Sequence, residues 1–323
     1  MVDKKGCSMK PLKIIPALKS YIWGGNKLKT EFNIKTDAET VAEAWSLSVH
    51  PDGNSVLENG IMLDEYLKQN PSYMGKNAEK FEKFPLLIKL IDACDNLSVQ
   101  VHPDDSYALK NEGEYGKTEM WYVADCEKDA FLYYGFNRNV TKEEFEMAIE
   151  NNTVTEILNR VNVKKGDLFF IPSGTVHAIG AGIVICEIQQ NSNTTYRVYD
   201  YDRRDKEGNP RELHIKKALE VSDLSEMKNL GENLKTEAFD GYSKTYLGGC
   251  KYFAAEKLEI ETEAVLEVNN KTFQCITVLE GECEISSVKA KKGESVFVPA
   301  SPNNSKYSVL GKSTVILSYV PEE

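Results

Sequence analysis

The sequence has no apolar run approaching about 18 residues, the length that a membrane-spanning helix requires. Its first ten residues are polar and short of the apolar segment that a secretory signal peptide needs. Basic residues are also in the minority, since 39 Lys and Arg stand against 50 Asp and Glu and the formal net charge is −11. Nucleic acids and anionic membranes attract clustered positive charge, so the composition disfavours both as partners. A local basic pocket for one phosphate is compatible with it.

Paired cysteines are also missing, because the seven cysteines are odd in number and include no Cys-x-x-Cys spacing. They are scattered over positions 7, 94, 126, 186, 250, 275 and 283. Several lie in apolar runs, where buried free thiols are common, and the pattern is unlike a disulfide framework. We therefore expect a protein of the reducing cytoplasm.

Short strand-like segments dominate what is present. Runs of apolar residues bounded by turn residues predict strands at 84–92, 119–123, 130–134, 167–171, 183–188, 275–279 and 315–320. Helices are fewer and are predicted at 62–69, 141–159 and 214–221. The longest of them begins with a capping box formed by Thr141 and Glu144. The fold class is therefore mainly β with a few inserted α-helices.

A chain of 323 residues is long enough for two domains. The polar, Lys- and Glu-rich stretch 222–237 has little to bury and is the best boundary. We expect a first domain at 10–225 that holds the chemistry and a helical insertion. A second domain is expected at 238–323.

The most informative stretch is 97–105, LSVQVHPDD, which has the pattern of a strand. Side chains two positions apart share a face, so Ser98, Gln100 and His102 project together while the apolar residues face the other way. Three polar groups on one face of an apolar run indicate a metal or ligand site.

A second stretch, 166–177 (GDLFFIPSGTVH), runs from a glycine turn through an apolar strand and a Pro-Gly turn to His177. This spacing resembles the second conserved motif of the cupin superfamily. Cupins are jelly-roll β-barrels that hold a metal between histidines and a carboxylate, and the resemblance implies a barrel of this type here.

An internal repeat of this pattern at 293–304 (GESVFVPASPNN) indicates that the chain has two cupin jelly-roll barrels. The glycine, the apolar strand and the proline recur at the same spacing, but Ser301 replaces the second glycine and Asn304 replaces the histidine. We interpret this as a second barrel without a metal, with chance similarity as the alternative.

Four side chains are candidate metal ligands: Gln100, His102, Glu119 and His177. Imidazole nitrogens and a carboxylate oxygen suit divalent zinc, and an amide oxygen is acceptable. Such a set leaves a Lewis-acidic ion with room for water or substrate. The other two histidines are left out, since His50 is interpreted as opening a turn and His214 as capping a helix.

Further blocks make the chain similar to the type I mannose-6-phosphate isomerases, or phosphomannose isomerases, in their short bacterial form. The blocks are 21–25 (YIWGG), 42–46 (AEAWS), 50–51 (HP), 84–89 (FPLLIK), 97–104, 117–120 (KTEM), 187–192 (EIQQNS) and 195–197 (TYR). They span about residues 11 to 221, with a weaker continuation through the second barrel.

This resemblance implies a zinc-dependent interconversion of mannose 6-phosphate and fructose 6-phosphate. It implies one Zn²⁺ per chain on Gln100, His102, Glu119 and His177, with a phosphorylated hexose as the partner. It further implies that Lys89 and Ser98 bind substrate and that Arg197, Glu187 and Lys117 are catalytic. The oligomeric state is left open, and a monomer is compatible.

The chemistry needs such groups independently, since moving a carbonyl from C1 to C2 through an enediol requires a base and a cation. Glu187 is the preferred base if residues 180–182 form a three-residue hairpin loop, which would put it on the face of His177. Its alternative role is a strand carboxylate at a sheet edge, and that of Arg197 is a surface salt bridge. Lys89 lies in an apolar run, where an unpaired ammonium is costly.

One departure is Asn193, where the family commonly has aspartate. An amide cannot act as a base at neutral pH, so proton transfer would rest on Glu187, Lys117 or a metal-bound water. Two other functions are alternatives. A different cupin enzyme, such as an oxygenase or another sugar-phosphate isomerase, is disfavoured by the phosphate-directed cations. A phosphosugar sensor is disfavoured by the absence of a basic helix-turn-helix pattern.

Overall fold

The computed structural model describes residues 10–204, 207–228 and 234–322. Cys7, almost all of the polar N-terminal segment and part of the predicted boundary at 222–237 lie outside these residues. The other six cysteines are all free thiols, as expected. Within the described ranges, no helix is long and apolar enough to cross a membrane.

Two sheets form the N-terminal half, and we refer to them together as the first barrel. The six-stranded sheet contains β2 (Ala17–Lys19), β3 (Glu43–Leu47), β5 (Leu86–Ala93), β7 (Glu119–Cys126), β10 (Leu168–Ile171) and β12 (Ile183–Gln190). The five-stranded sheet contains β6 (Val99–Val101), β8 (Phe131–Phe136), β9 (Leu158–Asn162), β11 (His177–Ile179) and β13 (Tyr196–Tyr199).

The third sheet has eleven strands, and we refer to it as the second barrel. Its strands are β1 (Leu12–Ile15), β4 (Val56–Leu57), β14 (Thr236–Phe239), β15 (Tyr242–Gly249), β16 (Ala254–Ile260), β17 (Glu263–Val268), β18 (Gln274–Ile285), β19 (Val288–Lys291), β20 (Ser295–Val298), β21 (Ser305–Leu310) and β22 (Ser313–Tyr319). The mainly-β prediction is confirmed.

Helices are short and lie between strands. They are α1 (Lys27–Thr30), α2 (Leu63–Gln69), α3 (Asp105–Asn111), α4 (Lys142–Glu150) and α5 (Ile215–Val221), with 3-10 turns at Pro71–Met74, Lys76–Ala78 and Val154–Ile157. The helices predicted at 62–69 and 214–221 are present within one residue.

The two barrels are joined through the N-terminal strand β1, which belongs to the eleven-stranded sheet of the second barrel. Leu12 of β1 pairs with Phe297 of β20, and Ile14 pairs with Leu57 of β4. The largest apolar cluster also contains residues of both halves, including Ile188 and Phe253. The predicted boundary at 222–237 therefore divides the chain into two segments, but residues of both segments pack in the same apolar cluster.

The helix predicted over 141–159 is wrong in its second half. Its start is as predicted, since the Thr141 hydroxyl accepts a hydrogen bond from the Glu144 amide at 3.1 Å. The helix ends at Glu150 because Asn152 takes a left-handed conformation with φ of 58°. The apolar residues that suggested a longer helix are still buried with Phe145, but from a 3-10 turn and from β9.

The predicted strand at 97–105 is regular only over Val99–Val101, because Pro103 follows and the Asp104 side chain caps α3. The loop at 180–182 is not a hairpin, since β11 belongs to the five-stranded sheet and β12 to the six-stranded sheet. The hairpin that was expected to put Glu187 on the face of His177 is therefore not formed. The position of Glu187 depends instead on the pairing of β12 with β5 and β7.

Candidate metal centre and active site

A cavity of about 270 Å³ is lined by both sheets of the first barrel. Six of the nine predicted site residues line it: Lys89, Ser98, Gln100, Lys117, Glu187 and Arg197. The other three, His102, Glu119 and His177, are almost completely buried. Their ligand atoms lie within 4.8 Å of one another, and they are a group able to hold a metal ion.

Two sheets bring these residues together by register. In the five-stranded sheet, Gln100 pairs with His177 on one side and with Arg197 on the other. In the six-stranded sheet, Glu119 begins β7 and pairs with Gln189 of β12. Directly paired residues point to the same face, so each sheet presents a row of polar side chains.

Backbone carbonyls orient both imidazoles. Nδ1 of His102 lies 2.9 Å from the Thr194 carbonyl oxygen, and Nδ1 of His177 lies 2.9 Å from that of Thr175. A carbonyl can only accept, so both Nδ1 atoms carry the proton and both Nε2 atoms keep a lone pair. This second contact is the usual way in which a protein orients a metal-binding histidine.

The lone pairs converge on the Glu119 carboxylate. Nε2 of His102 lies 3.2 Å from Oε1 of Glu119, and Nε2 of His177 lies 3.8 Å from Oε2. Both Glu119 oxygens are buried without a well-formed hydrogen bond, and the Lys117 ammonium lies beside Oε1 only. Groups that only accept repel one another unless a cation lies among them, so this set fits a divalent metal ion.

The protonation states agree with that interpretation. Burial, together with the Lys117 ammonium, lowers the pKa of His102 to about 3, and burial likewise lowers the pKa of His177. Burial alone would raise the pKa of Glu119, but Lys117 and the histidines hold it well below its ordinary value. At neutral pH the cluster therefore offers two neutral imidazoles and one carboxylate.

Lys117 and Gln100 border the same cluster. Nζ of Lys117 lies 2.5 Å from Oε1 of Glu119 and 3.2 Å from Nε2 of His102. The Gln100 amide lies 3.5 Å from Nε2 of His177. An amide can be turned so that its oxygen faces the cluster, which keeps Gln100 suitable as a fourth ligand.

A row of charged and aromatic residues crosses the six-stranded sheet. Glu187 pairs with Trp121 on one side and with Lys89 on the other, and Lys89 pairs with Trp45. Nζ of Lys89 lies 3.5 Å from both Glu187 and Glu43. Burial would lower the pKa of Lys89, but these two carboxylates outweigh it and raise the pKa.

Glu187 has one hydrogen-bonded oxygen and one whose charged neighbour is the Lys89 ammonium. Oε2 accepts a hydrogen bond from Nε1 of Trp121 at 2.8 Å, whereas Oε1 is buried without a hydrogen-bonding partner. Burial, helped by the Glu119 carboxylate, raises the pKa of Glu187 to about 7 against the opposing effect of Lys89. A carboxylate with that pKa, lining a cavity and with one oxygen that accepts no hydrogen bond, is suited to accept a proton.

Two guanidinium groups line the cavity. Nε of Arg197 donates to Oγ of Ser98 at 3.2 Å, and Nη1 donates to the Glu212 carbonyl at 2.9 Å. Among the described residues Arg197 forms no ion pair with a carboxylate, unlike Arg211, whose Nε donates to Asp200 at 2.7 Å. Two cations in one small cavity suit a phosphate group.

Asn193 lines the cavity too, and its loop is fixed by neighbouring acids. Nδ2 of Asn193 donates to Oδ2 of Asp52 at 2.8 Å, and its backbone amide donates to Oε2 of Glu114 at 3.2 Å. Glu114 also accepts from the Thr194 hydroxyl at 3.2 Å. The carbonyl that orients His102 therefore belongs to a loop tied to Glu114.

The two excluded histidines lie outside the metal group. His50 opens a turn, since Gly53 donates to its carbonyl, and its Nε2 lies 3.3 Å from Glu114. His214 precedes α5 but does not cap it with its side chain; Nδ1 accepts instead from the Arg197 amide at 3.2 Å. His214 therefore occupies the predicted N-cap position, but its side chain accepts from β13 instead of from the helix.

Sequence reasoning missed several residues of the site. Glu43, Trp121 and Arg211 line the cavity but were not predicted. For Glu43 the available signal was a single charged residue within an apolar run, which is also the signal that drew attention to Lys89. Arg211 follows a polar stretch and gave no comparable signal.

Comparisons with known proteins agree with this geometry. Residues 12–134 match the family described as phosphomannose isomerase type I, catalytic domain, and residues 242–320 match the mannose-6-phosphate isomerase cupin domain. Mannose-6-phosphate isomerase ManA of Bacillus subtilis is 42% identical over 298 residues, 90% of this chain and 93% of that protein.

Two solved structures share the fold. The mannose 6-phosphate isomerase of Bacillus subtilis has a TM-score of 0.87 at 35% identity, over 95% of this chain and 99% of that one. A mannose 6-phosphate isomerase bound with zinc and yttrium has a TM-score of 0.76 at 18% identity, over 97% and 100%. The predicted cupin fold is thus confirmed.

Proposed function

This chain belongs to the type I phosphomannose isomerase family, and we propose that it interconverts mannose 6-phosphate and fructose 6-phosphate with one bound zinc ion. The observation that carries the proposal is the convergence of His102, His177 and the buried Glu119 carboxylate beside a cavity with two guanidinium groups.

The proposed zinc ligands are Gln100, His102, Glu119 and His177. When bound, zinc would polarise the sugar oxygens and stabilise negative charge that develops on them. The zinc-bound relative has the same fold, and the donor set here fits the same ion.

Glu187 is the proposed base that moves a proton between C1 and C2 through a cis-enediol. Glu187 lines the cavity, its Oε1 accepts no hydrogen bond, and its raised pKa suits proton exchange near neutral pH. Lys117 and Arg197 are the proposed groups that stabilise charge on the enediol oxygens. Asn193, whose amide is bonded to Asp52, takes no proton in this scheme.

Lys89 and Ser98 are proposed to bind the substrate. Ser98 also fixes Arg197, since its hydroxyl accepts from Nε. Lys89 is already shared between Glu43 and Glu187, so we assign it to the sugar hydroxyls and to orienting Glu187. Arg211, which lines the cavity beside Arg197 and is shared with Asp200, is then the cation proposed for the phosphate.

The same cations argue against an oxygenase, which has no need of them. We also propose a cytoplasmic location, which the six free cysteines support.

The test is conversion of mannose 6-phosphate to fructose 6-phosphate by purified protein as isolated, after chelation and after zinc is restored. We expect activity to disappear on chelation and to return with zinc. Absence of conversion at full zinc occupancy would overturn the proposed substrate, and conversion that survives complete metal removal would overturn the proposed metal.

A further inference from the structure

Tyr252 lies in the turn between β15 and β16 of the second barrel, and this turn packs on the first barrel. The residue is buried, and its ring centroid is 5.8 Å from that of Phe81. The neighbouring Phe253 ring is 6.2 Å from Phe170. The turn itself is closed by a hydrogen bond from the Cys250 amide to the Phe253 carbonyl at 2.8 Å.

The Tyr252 hydroxyl donates to Oδ2 of Asp105, at the start of α3 in the first barrel. The other oxygen of this carboxylate is fully used. Oδ1 of Asp105 accepts from the Gly116 amide at 2.9 Å and from Nε2 of Gln190 at 2.8 Å. Asp105 therefore connects the second barrel with the segment that precedes Glu119.

Every residue of that segment, 116–118, has its amide fixed. Gln190 accepts from the Thr118 amide through Oε1 at 2.9 Å, and the Lys117 amide donates to the Pro103 carbonyl at 3.0 Å. Gly116 lies so close to the chain that a Cβ would come within 2.4 Å of the Asp104 carbonyl carbon.

We propose that Tyr252 is a positioning residue, through which the second barrel holds the segment of Lys117 and Glu119 in place for the metal site. This rests on the proposed metal ligands. The hydroxyl orients the Asp105 carboxylate, and that carboxylate fixes Gly116 directly and Thr118 through Gln190. Removing the hydroxyl leaves Oδ2 of Asp105 with only the Lys251 ammonium, 3.8 Å away, so the carboxylate is held less firmly and both amides on the N-terminal side of Glu119 are loosened.

The alternative is that this hydrogen bond merely docks the two barrels. The two interpretations differ in what a variant without the hydroxyl does. A docking contact affects stability alone, whereas a positioning contact also changes local amide exchange and metal retention.

The experiment is the Tyr252→Phe variant, which keeps the ring and removes the hydroxyl. We expect faster amide exchange of Gly116 and Thr118 in the metal-free protein. Zinc should transfer to a chelator about tenfold faster, and kcat should fall about tenfold with little change in KM.

The matched control is Tyr307→Phe, because Tyr307 is a buried tyrosine of the same barrel whose hydroxyl donates to Gln274. It should reduce stability without changing exchange at 116–118, zinc transfer or kcat. The proposal is overturned if Tyr252→Phe behaves in the same way as this control.

Asp105→Ala tests the same link from the first barrel and decides the matter if Tyr252→Phe does not fold. Exchange of Gly116 and Thr118 at the wild-type rate in Asp105→Ala would refute the proposal. In the double variant, zinc transfer should be no faster than in Asp105→Ala alone, since both changes act through one contact. If the wild-type protein binds no zinc, the proposed function fails, while the exchange data still decide on Tyr252.

Discussion

The two barrels share a sequence pattern but have opposite interiors. Each contains a short strand after a glycine of positive φ, Gly166 before β10 and Gly293 before β20. In the first barrel the buried residues include Lys89, Lys117, Glu119 and Glu187, whereas the second barrel has a cluster of aliphatic side chains with one tyrosine. The position equivalent to the buried His177 is Asn304, which is exposed.

This difference shows that a barrel interior with charged functional residues is stabilised differently from an aliphatic one. An aliphatic interior is stabilised by burial alone. Buried charges are costly unless they are paired, and in the first barrel each faces an opposite charge or a site suited to a metal. The second barrel lacks these constraints and instead supplies support, including the Tyr252 contact.

The largest expected effect comes from removing the metal ligands of the first barrel. His177→Ala and Glu119→Gln should abolish isomerisation and lower zinc content, because each takes one lone pair from the cluster. Metal analysis and turnover are the measurements, and Asn304→Ala at the equivalent position of the second barrel is the control. Normal turnover in His177→Ala would remove the proposed site.

Glu187→Gln should reduce kcat by about 10² to 10⁴, the range typical of a general base, while zinc content stays unchanged. In the wild type, kcat/KM should fall as the pH drops through the pKa of Glu187, which burial and Glu119 raise to about 7. The variant should lose this acid limb. Glu256→Gln, a half-buried carboxylate of the second barrel, is the control and should keep it.

Lys89→Met should destabilise the fold by about 3 kcal/mol, because it leaves Glu43 and Glu187 buried without their cation. The pKa of Glu187 is already raised in the folded state, so stability decreases as the pH rises from 4.5 towards about 7. The loss should therefore be larger at pH 8 than at pH 5 in urea unfolding. An equal loss at both pH values would contradict the pairing.

The smallest effect is expected for Thr277→Val in the second barrel. The Thr277 and Ser295 hydroxyls are buried 3.0 Å apart, and losing this neutral hydrogen bond should cost about 1 kcal/mol. Thermal unfolding measures the loss, and kcat and zinc content should remain at wild-type values. A fall in zinc content would show that the barrels are coupled well beyond the Tyr252 contact.

Local patterns predicted much of the fold and part of the site. Alternation at Ser98, Gln100 and His102 predicted a shared polar face, and the structure brings Gln100 and His102 to the cluster. The capping box at Thr141 predicted a helix start. The helix end was predicted wrongly, because buried residues of a following turn and strand imitate helical periodicity.

The sequence by itself determined the elements and the donor types, since period-two polar residues, turn residues and histidine or carboxylate chemistry are local properties. Only the tertiary structure decided which groups meet. Strand β12 lies between β5 and β7 of the six-stranded sheet and pairs Glu187 with Lys89 and Trp121, which no short-range pattern encodes. The Tyr252–Asp105 contact joins residues 147 positions apart, and contacts at that separation arise from packing of the two barrels.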